Sequence, residues 1–345
     1  MNKKRVFAAL ALAALALLAL AAAAGRRYAQ NQTHSRDIFA MDTIMSLTAY
    51  GPRGEAAVDA AVAEIFRLDA LLSVGMASSE VTQINANGGG QVSEDTAALV
   101  RAALETYAST DGAFDFTIYP LMRLWGFTTG EYHVPTAAEL EEVLPLVDAS
   151  LVRFDGGTLT LSDGQQIDFG GIAKGYASAR TMEIFREYGV TSGMVSLGGN
   201  IQVLGKKPDG SPWRIGVQNP SASQGTPLAV VEVEDRAVVT SGGYERYFEK
   251  DGRTYIHILD PRTGYPAEPD LLSVTVVSGD GTLADALSTA LFVMGLEDAV
   301  SYWQEGGGTF DMALLTTEGE MFVTPGIGDS FSSPVPVSVL ELGQP

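Results

Sequence analysis

The sequence predicts an α+β fold, an antiparallel sheet with flanking helices, preceded by a separate N-terminal helical segment. Three observations lead there. Residues 55–72 and 96–109 repeat apolar side chains at helical spacing. The second half instead breaks into short β-rich runs separated by PDG, KDG and other glycine-containing turns, the pattern of hairpins and hence of antiparallel strands. Strands and helices do not alternate, which sets aside a parallel βαβ sheet.

Taken in order, Lys3, Lys4 and Arg5 precede an uncharged run from Val6 to Gly25, mostly Ala and Leu, which is the pattern of an export signal. Ala22-Ala23-Ala24 suits a cleavage site, and the run is also long enough to span a bilayer uncleaved. Residues 1–30 therefore read as a signal peptide or membrane anchor, and the mature protein as extracytoplasmic, anchored at the cell membrane or exported. The chain has no cysteine, so neither a disulfide nor a cysteine-linked lipid is available. Residues 31–37 read as a polar linker and 38–345 as one domain. Within it EAAVDAAVAEIFRLDALL is a helix, Thr96 to Ser109 a second, and Ala137 to Leu146 a shorter third. A strand is expected to end near Asp168, with a helix from Gly171 to about Tyr188. MVSLGGNIQVLG, WRIGVQNP, LAVVEVEDRAVVTSG, RTYIHIL and LLSVTVVSG follow as strands, then a helix from Leu283 to Met294 and two strands between 310 and 324.

The 345 residues are 46% hydrophobic and 19% charged, enough to bury a substantial core. The net charge of −20 repels nucleic acid. An anionic ligand would need local positive charge or a metal.

Such a place is suggested by IDFGGIAKGYASAR, residues 167–180. Gly170-Gly171 falls at a helix entrance, where backbone N–H groups lack partners and the dipole is positive. Lys174 in the first turn opposes that dipole unless an anion lies beside it. A glycine pair serves close packing equally well, with the lysine in solvent. No GxxxxGK[ST] or GxGxxG fingerprint is present. Further on, Asp285, Ser288 and Thr289 share one helix face at i, i+3 and i+4. These oxygens suit one small cation, and they suit equally a helix start whose hydroxyls bond back to the backbone. Of three histidines, His34 falls in the linker, His133 in a polar loop and His257 in YIHILDP. The DPRTG turn brings Asp260 and Arg262 close to His257, a candidate proton acceptor, although a strand histidine can also be purely structural.

Six segments then share an order and spacing: MDTIMSL (41–47), GAFDFTIYPLMRLWGF (112–127), IDFGGIAKGYA, VSLGGNIQVLGKKPDGSPWRIGV (195–217), TSGGYERYFEKDGRTYIHILDPRTGYP (240–266) and LADALSTALFVMG (283–295). Together they resemble the ApbE family, the FAD:protein FMN transferases, from about 38 to 340. The resemblance implies an ApbE-like (T-fold-like) domain that uses Mg²⁺ to cleave FAD, its substrate, at the pyrophosphate. FMN would pass to a Thr or Ser hydroxyl of an acceptor protein and AMP would leave. It also implies FAD contacts at Met41, Ala113, Phe114, Asp115, Asp168, Lys174 and Leu259. The cation ligands would be the Gly171 carbonyl, Asp285 and Thr289, with Ser288 standing where many relatives carry Asp. His257 would assist deprotonation of the acceptor or orient the phosphates, while Asp260 would hold the loop or take the proton instead. LGGN (197–200) and TSGGYER (240–246) would line the same cleft. Gly75 stands where the family commonly has an aromatic residue, so a stacking ring is missing there or replaced by Met76. Phosphoryl-type transfer needs charge neutralisation, positioned donors and a proton acceptor, and these residues offer each. Two alternatives use the same residues: a Mg²⁺-dependent FAD pyrophosphatase giving FMN and AMP with water as acceptor, and a non-catalytic FAD-binding protein. A redox flavoenzyme is disfavoured by the missing dinucleotide fingerprint.

Overall fold

The structure, a computed structural model, describes residues 29–220 and 226–341 together with Phe7, 15–20 and Gly25. The signal or anchor read at 1–30 thus lies largely outside the described residues. Among those described, no helix is long and apolar enough to cross a membrane.

The domain opens with a hairpin, β1 (Thr33–Ala40) and β2 (Thr43–Tyr50). β1 begins inside the stretch read as linker, and His34 pairs with Ala49. The two-residue turn, Met41-Asp42, has φ of 47° and 58°, the primed geometry that matches the twist of paired strands. α1 (Gly54–Leu72) buries Ala57, Val58, Ala61, Ile65, Leu68 and Leu72, the stripe its spacing predicts. α2 (Glu80–Asn87) follows, capped by Ser79, then β3 (Gly89–Gln91) and α3 (Glu94–Ser109), capped by Ser93. α4 (Tyr119–Leu124) and α5 (Ala137–Val143) are short; α5 starts in a Thr136/Glu139 capping box. β4 (Arg153–Asp155) and β5 (Thr158–Thr160) join β3 in a small sheet.

No strand ends near Asp168. The segment before it is irregular, clamped by the Asn85 side chain, which exchanges hydrogen bonds of 2.7 and 2.9 Å with the Ile167 backbone, and by the Asp168 N–H donating to the Phe116 carbonyl at 2.8 Å. One side chain and one loop carbonyl satisfy the backbone groups that a sheet would otherwise pair. α6 (Ala173–Glu187) then begins two residues after the expected start.

The second half supplies β6 (Gly193–Leu197), β7 (Asn200–Leu204), β8 (Trp213–Gln218), β9 (Pro227–Val233), β10 (Ala237–Gly242), β11 (Tyr247–Lys250), β12 (Arg253–Ile256) and β13 (Leu271–Ser278). α7 (Gly281–Met294), α8 (Leu296–Glu305), β14 (Asp311–Thr316), β15 (Met321–Val323), α9 (Pro325–Gly328), β16 (Phe331–Ser332) and β17 (Val337–Val339) complete it. Nine strands form one sheet in the order β1-β2-β6-β7-β10-β13-β14-β15-β17, antiparallel throughout except for the β15–β17 pair. One face is covered by the β16-β9-β8 sheet through Trp213, Ile215 and Val231. The other carries α7 on β10 and β13, with α6 packed against both α1 and α7. A third cluster, around Trp125, Phe127, Phe248 and Leu259, ties α4 to the β11–β12 hairpin.

Candidate active site

The site begins where α6 crosses α7. A Cβ on Gly175 would stand 2.2 Å from the Gly281 carbonyl oxygen and 2.6 Å from Asp285 Cβ, so only glycine lets the helices approach this closely. Across that contact the Gly175 N–H donates to Asp285 Oδ2 at 2.8 Å, and the Lys174 N–H also points at the carboxylate. Much of the N–H array expected to await an anion is therefore already taken, Gly170's by Asp168 Oδ1 at 2.7 Å and those of Lys174 and Gly175 by Asp285. α6 has no side-chain cap of its own because α7 provides one. Nor does Asp285 cap its own helix; Asp280 does, accepting from Thr282 and Leu283. Burial pushes the Asp285 carboxyl above its usual range, while the Lys174 charge and the Gly175 N–H hold it down.

One turn along α7, Ser288 Oγ donates to the Asp285 carbonyl at 2.8 Å and meets Ser241 Oγ at 2.8 Å, while Ser241 lies 3.4 Å from Thr289 Oγ1. Ser288 is fully buried and its hydroxyl engaged, whereas Thr289 is half-buried. A Cβ on Gly171 would lie 3.8 Å from Thr289 Oγ1 and press on the Phe114 ring at 3.1 Å, so a side chain there would fill the gap in front of the α7 oxygens. Among the described residues no trio of His, Asp or Glu converges as a metal cage. A carboxylate, a hydroxyl and a nearby backbone carbonyl remain. This sparse set of hard oxygens fits Mg²⁺, which keeps several waters and takes further oxygens from a bound phosphate.

Lys174 stands at the centre of the charge pattern. Its ammonium acts on Asp168, Glu245, His257 and Asp285. Burial raises the Asp168 carboxyl, opposed by the Gly170 N–H, Arg246 and Lys174. Asp42, in the β1–β2 turn, acts on Asp168, so that turn reaches the same cleft. Its neighbour Met41 holds a positive φ that a methionine rarely adopts, and its N–H is bound by Asp69.

His257 lies just past the end of β12 rather than within a strand. Its N–H donates to the Arg246 carbonyl at 3.0 Å, and its ring Nδ1 lies 3.1 Å from the same oxygen. A carbonyl can only accept, so Nδ1 carries the proton and Nε2 presents a lone pair. Desolvation in the recess, with the charges of Lys174 and Arg246, lowers its pKa to about 4. The turn beyond is rigid. Asp260 accepts from Arg262 at 2.9 Å from the backbone N–H, 2.9 Å from Nε and 3.1 Å from Nη2, and Trp125 Nε1 donates to the Gly264 carbonyl at 2.8 Å.

Residues 41–313 match the ApbE family. The chain belongs to that family. It is 33% identical over 324 residues, 87% of this chain and 89% of the relative, to a FAD:protein FMN transferase of Treponema pallidum. It is 35% identical to one of Klebsiella pneumoniae, covering 77% of this chain and 84% of that one. Among solved structures it is similar to the ApbE protein of Thermotoga maritima (TM-score 0.79, 35% identity, 84% of this chain and 96% of that chain). It is also similar to the apo flavinyl transferase ApbE of Pseudomonas stutzeri (TM-score 0.75, 33% identity, 88% and 95%).

The residues that the ApbE resemblance implies fall into two groups. Asp168, Lys174, His257, Asp285, Thr289, Gly171 and Phe114 are linked by the bonds, charges and approaches above. Others are committed to the fold. Asp115 is buried, and its carboxylate accepts from the Thr117 N–H at 2.7 Å, Thr117 Oγ1 at 2.6 Å and the Ala149 N–H at 3.0 Å. Three of its acceptor sites are thus spent on the fold, whereas among the described residues Asp168 has only the Gly170 N–H on Oδ1. Asp260 is held at both oxygens by Arg262, which makes it the brace of the loop rather than a proton acceptor. Ala113 and Leu259 are core residues, in two different clusters. Gly75 is exposed, a Cβ there would have only Ser73 Oγ within 4 Å, and Met76 is 43% exposed, so no ring covers that side from position 75. Sequence reasoning missed Ser241, Arg246, Asn200 and Glu245. Desolvation pushes the Glu245 carboxyl up to about 7, against the pull of Lys174 and helped by Asp285. The LGGN and TSGGYER turns flagged the neighbourhood, but nothing in them singles out these four side chains.

Proposed function

We propose that this chain is a Mg²⁺-dependent FAD:protein FMN transferase, moving FMN from FAD to a Thr or Ser hydroxyl of an acceptor protein and releasing AMP. The observation that carries the reading is the α6–α7 crossing, where Asp285, Thr289 and the Gly171 backbone converge beside Lys174. Relatives named FAD:protein FMN transferase support it.

When bound, Mg²⁺ would be held by Asp285, Thr289 and the Gly171 carbonyl and would offset diphosphate charge. Lys174 adds a fixed positive charge from the protein side. His257 Nε2, unprotonated and aimed by the Arg246 carbonyl, takes the proton of the acceptor hydroxyl. That oxygen bonds to the FMN phosphorus as the phosphorus–oxygen bond to AMP breaks, and AMP leaves with the electron pair. Met41, Phe114 and Asp168 line the flavin side, and Asp260 with Arg262 fixes the loop that carries His257. The set suits positioning and charge neutralisation, which dominate this class of reaction.

The test incubates the full chain with FAD, Mg²⁺ and an acceptor domain bearing an exposed threonine, followed by intact-mass measurement. A flavin-modified acceptor with AMP released is the expected result. AMP and free FMN with unmodified acceptor would mean hydrolysis; FAD held without turnover would mean a binding protein. We further propose that 1–30 directs export or anchors the chain, leading directly into the domain that β1 opens at Thr33, and that the enzyme works outside the cytoplasm at the membrane. Fractionation with N-terminal sequencing of the mature chain tests this.

A further inference from the structure

Asn200 opens β7 directly after the Gly198-Gly199 turn and is 1% exposed. Its amide lies against the Asp285 carboxylate and helps keep it ionised. That approach falls short of full hydrogen-bond geometry, and neither its nitrogen nor its oxygen completes a bond with any other protein group. A buried amide with two idle poles is rare, because each pole has left water without compensation. Nearby polar groups do not fill the need. Gln202, next on the same face of β7, is engaged by Ser178 Oγ at 2.8 Å, and Ser241 and Ser288 engage one another. The idle groups thus gather where Asp285 is already drawn toward α6.

We infer that Asn200 is a positioning residue and neutral oxygen ligand of the cation site, its Nδ2 steering the Asp285 carboxylate and its Oδ1 facing the cation directly or through one water. The inference rests on the cation site of the proposed function. The chemistry fits, since an amide oxygen is a hard, uncharged ligand that adds coordination without adding negative charge beside a diphosphate. It also explains why the amide tolerates its unpaired state: its partner arrives with the metal.

The test compares full-length wild type, Asn200→Leu and Asn200→Asp by Mg²⁺ titration, read by calorimetry and by melting temperature with and without the ion. Wild type is expected to bind Mg²⁺ and gain thermal stability. Asn200→Leu, close in size and free of idle poles, is expected to melt no lower than wild type without metal but to bind Mg²⁺ at least tenfold more weakly. Asn200→Asp, which restores an oxygen ligand, is expected to bind Mg²⁺ more tightly than Asn200→Leu. If Asn200→Leu binds Mg²⁺ like wild type, the inference fails while the cation site stands. A metal-free Asn200→Leu that melts well below wild type would mark Asn200 as a structural residue and overturn the inference. If wild type takes up no Mg²⁺, the cation site itself fails.

Discussion

At the scale of single residues, protonation states separate the chemistry from the scaffold. His257 has a folded pKa of about 4 against an ordinary 6.5, so it is neutral and able to accept a proton across the physiological range. The acid limb of kcat/KM should therefore lie near pH 4 and vanish in His257→Ala; an acid limb that persists unchanged in His257→Ala would show that His257 is not the base. His257→Ala is expected to lower flavinylation by about 10² to 10⁴ with FAD affinity nearly unchanged. The same shift affects stability. Between pH 6.5 and 4 the unfolded chain binds the extra proton, so the contribution of the neutral histidine is complete above 6.5 and is lost as pH falls toward 4. Glu245 runs the other way, its carboxyl raised to about 7 from 4.5, so stability is lost as pH rises from 4.5 to 7. Glu245→Gln should melt higher than wild type at pH 8 and equal to it at pH 4.5. His257 was legible because it stands in a dense motif. Glu245 and Asn200 were not, because their significance depends on Lys174 and Asp285, which approach from other parts of the chain.

At the scale of elements, the α6–α7 contact depends on one absent methyl group. Gly175→Ala would place its Cβ 2.2 Å from a backbone oxygen, so the helices must separate and the Asp285 cap must stretch. A loss on the order of 3 kcal/mol in urea unfolding is expected, together with loss of Mg²⁺ binding; wild-type stability would show that the helices can shift freely. Helix spacing revealed α1 and α3 because each buries a regular stripe. α8 escaped notice because it starts as soon as α7 ends, with Gly295 as both the last cap of one and the first of the other. The stretch before Asp168 looked like a strand because its apolar alternation is real: Ile167 and Phe169 are buried in the main core, but on an irregular segment and not in a sheet.

At the scale of the whole molecule, the antiparallel architecture was legible because glycine turns separate its strands. The order of the sheet was not, since β10 joins β7 to β13 through pairings that no local pattern encodes. The site over its central strands should respond to metal as one unit. Mg²⁺ at a hundredfold excess over its Kd should add about 2.7 kcal/mol of stability. Chelation should remove it, and Asp285→Asn should abolish the response in a thermal-shift titration. The bond from the Gly175 N–H to Asp285 spans 110 residues. A polypeptide growing from its N-terminus thus carries the lysine, the paired glycines and the first helices long before it owns the carboxylate that completes them. Translation products or proteolytic fragments that stop short of α7 are expected to be inert, the site closing only as the last third of the chain is added.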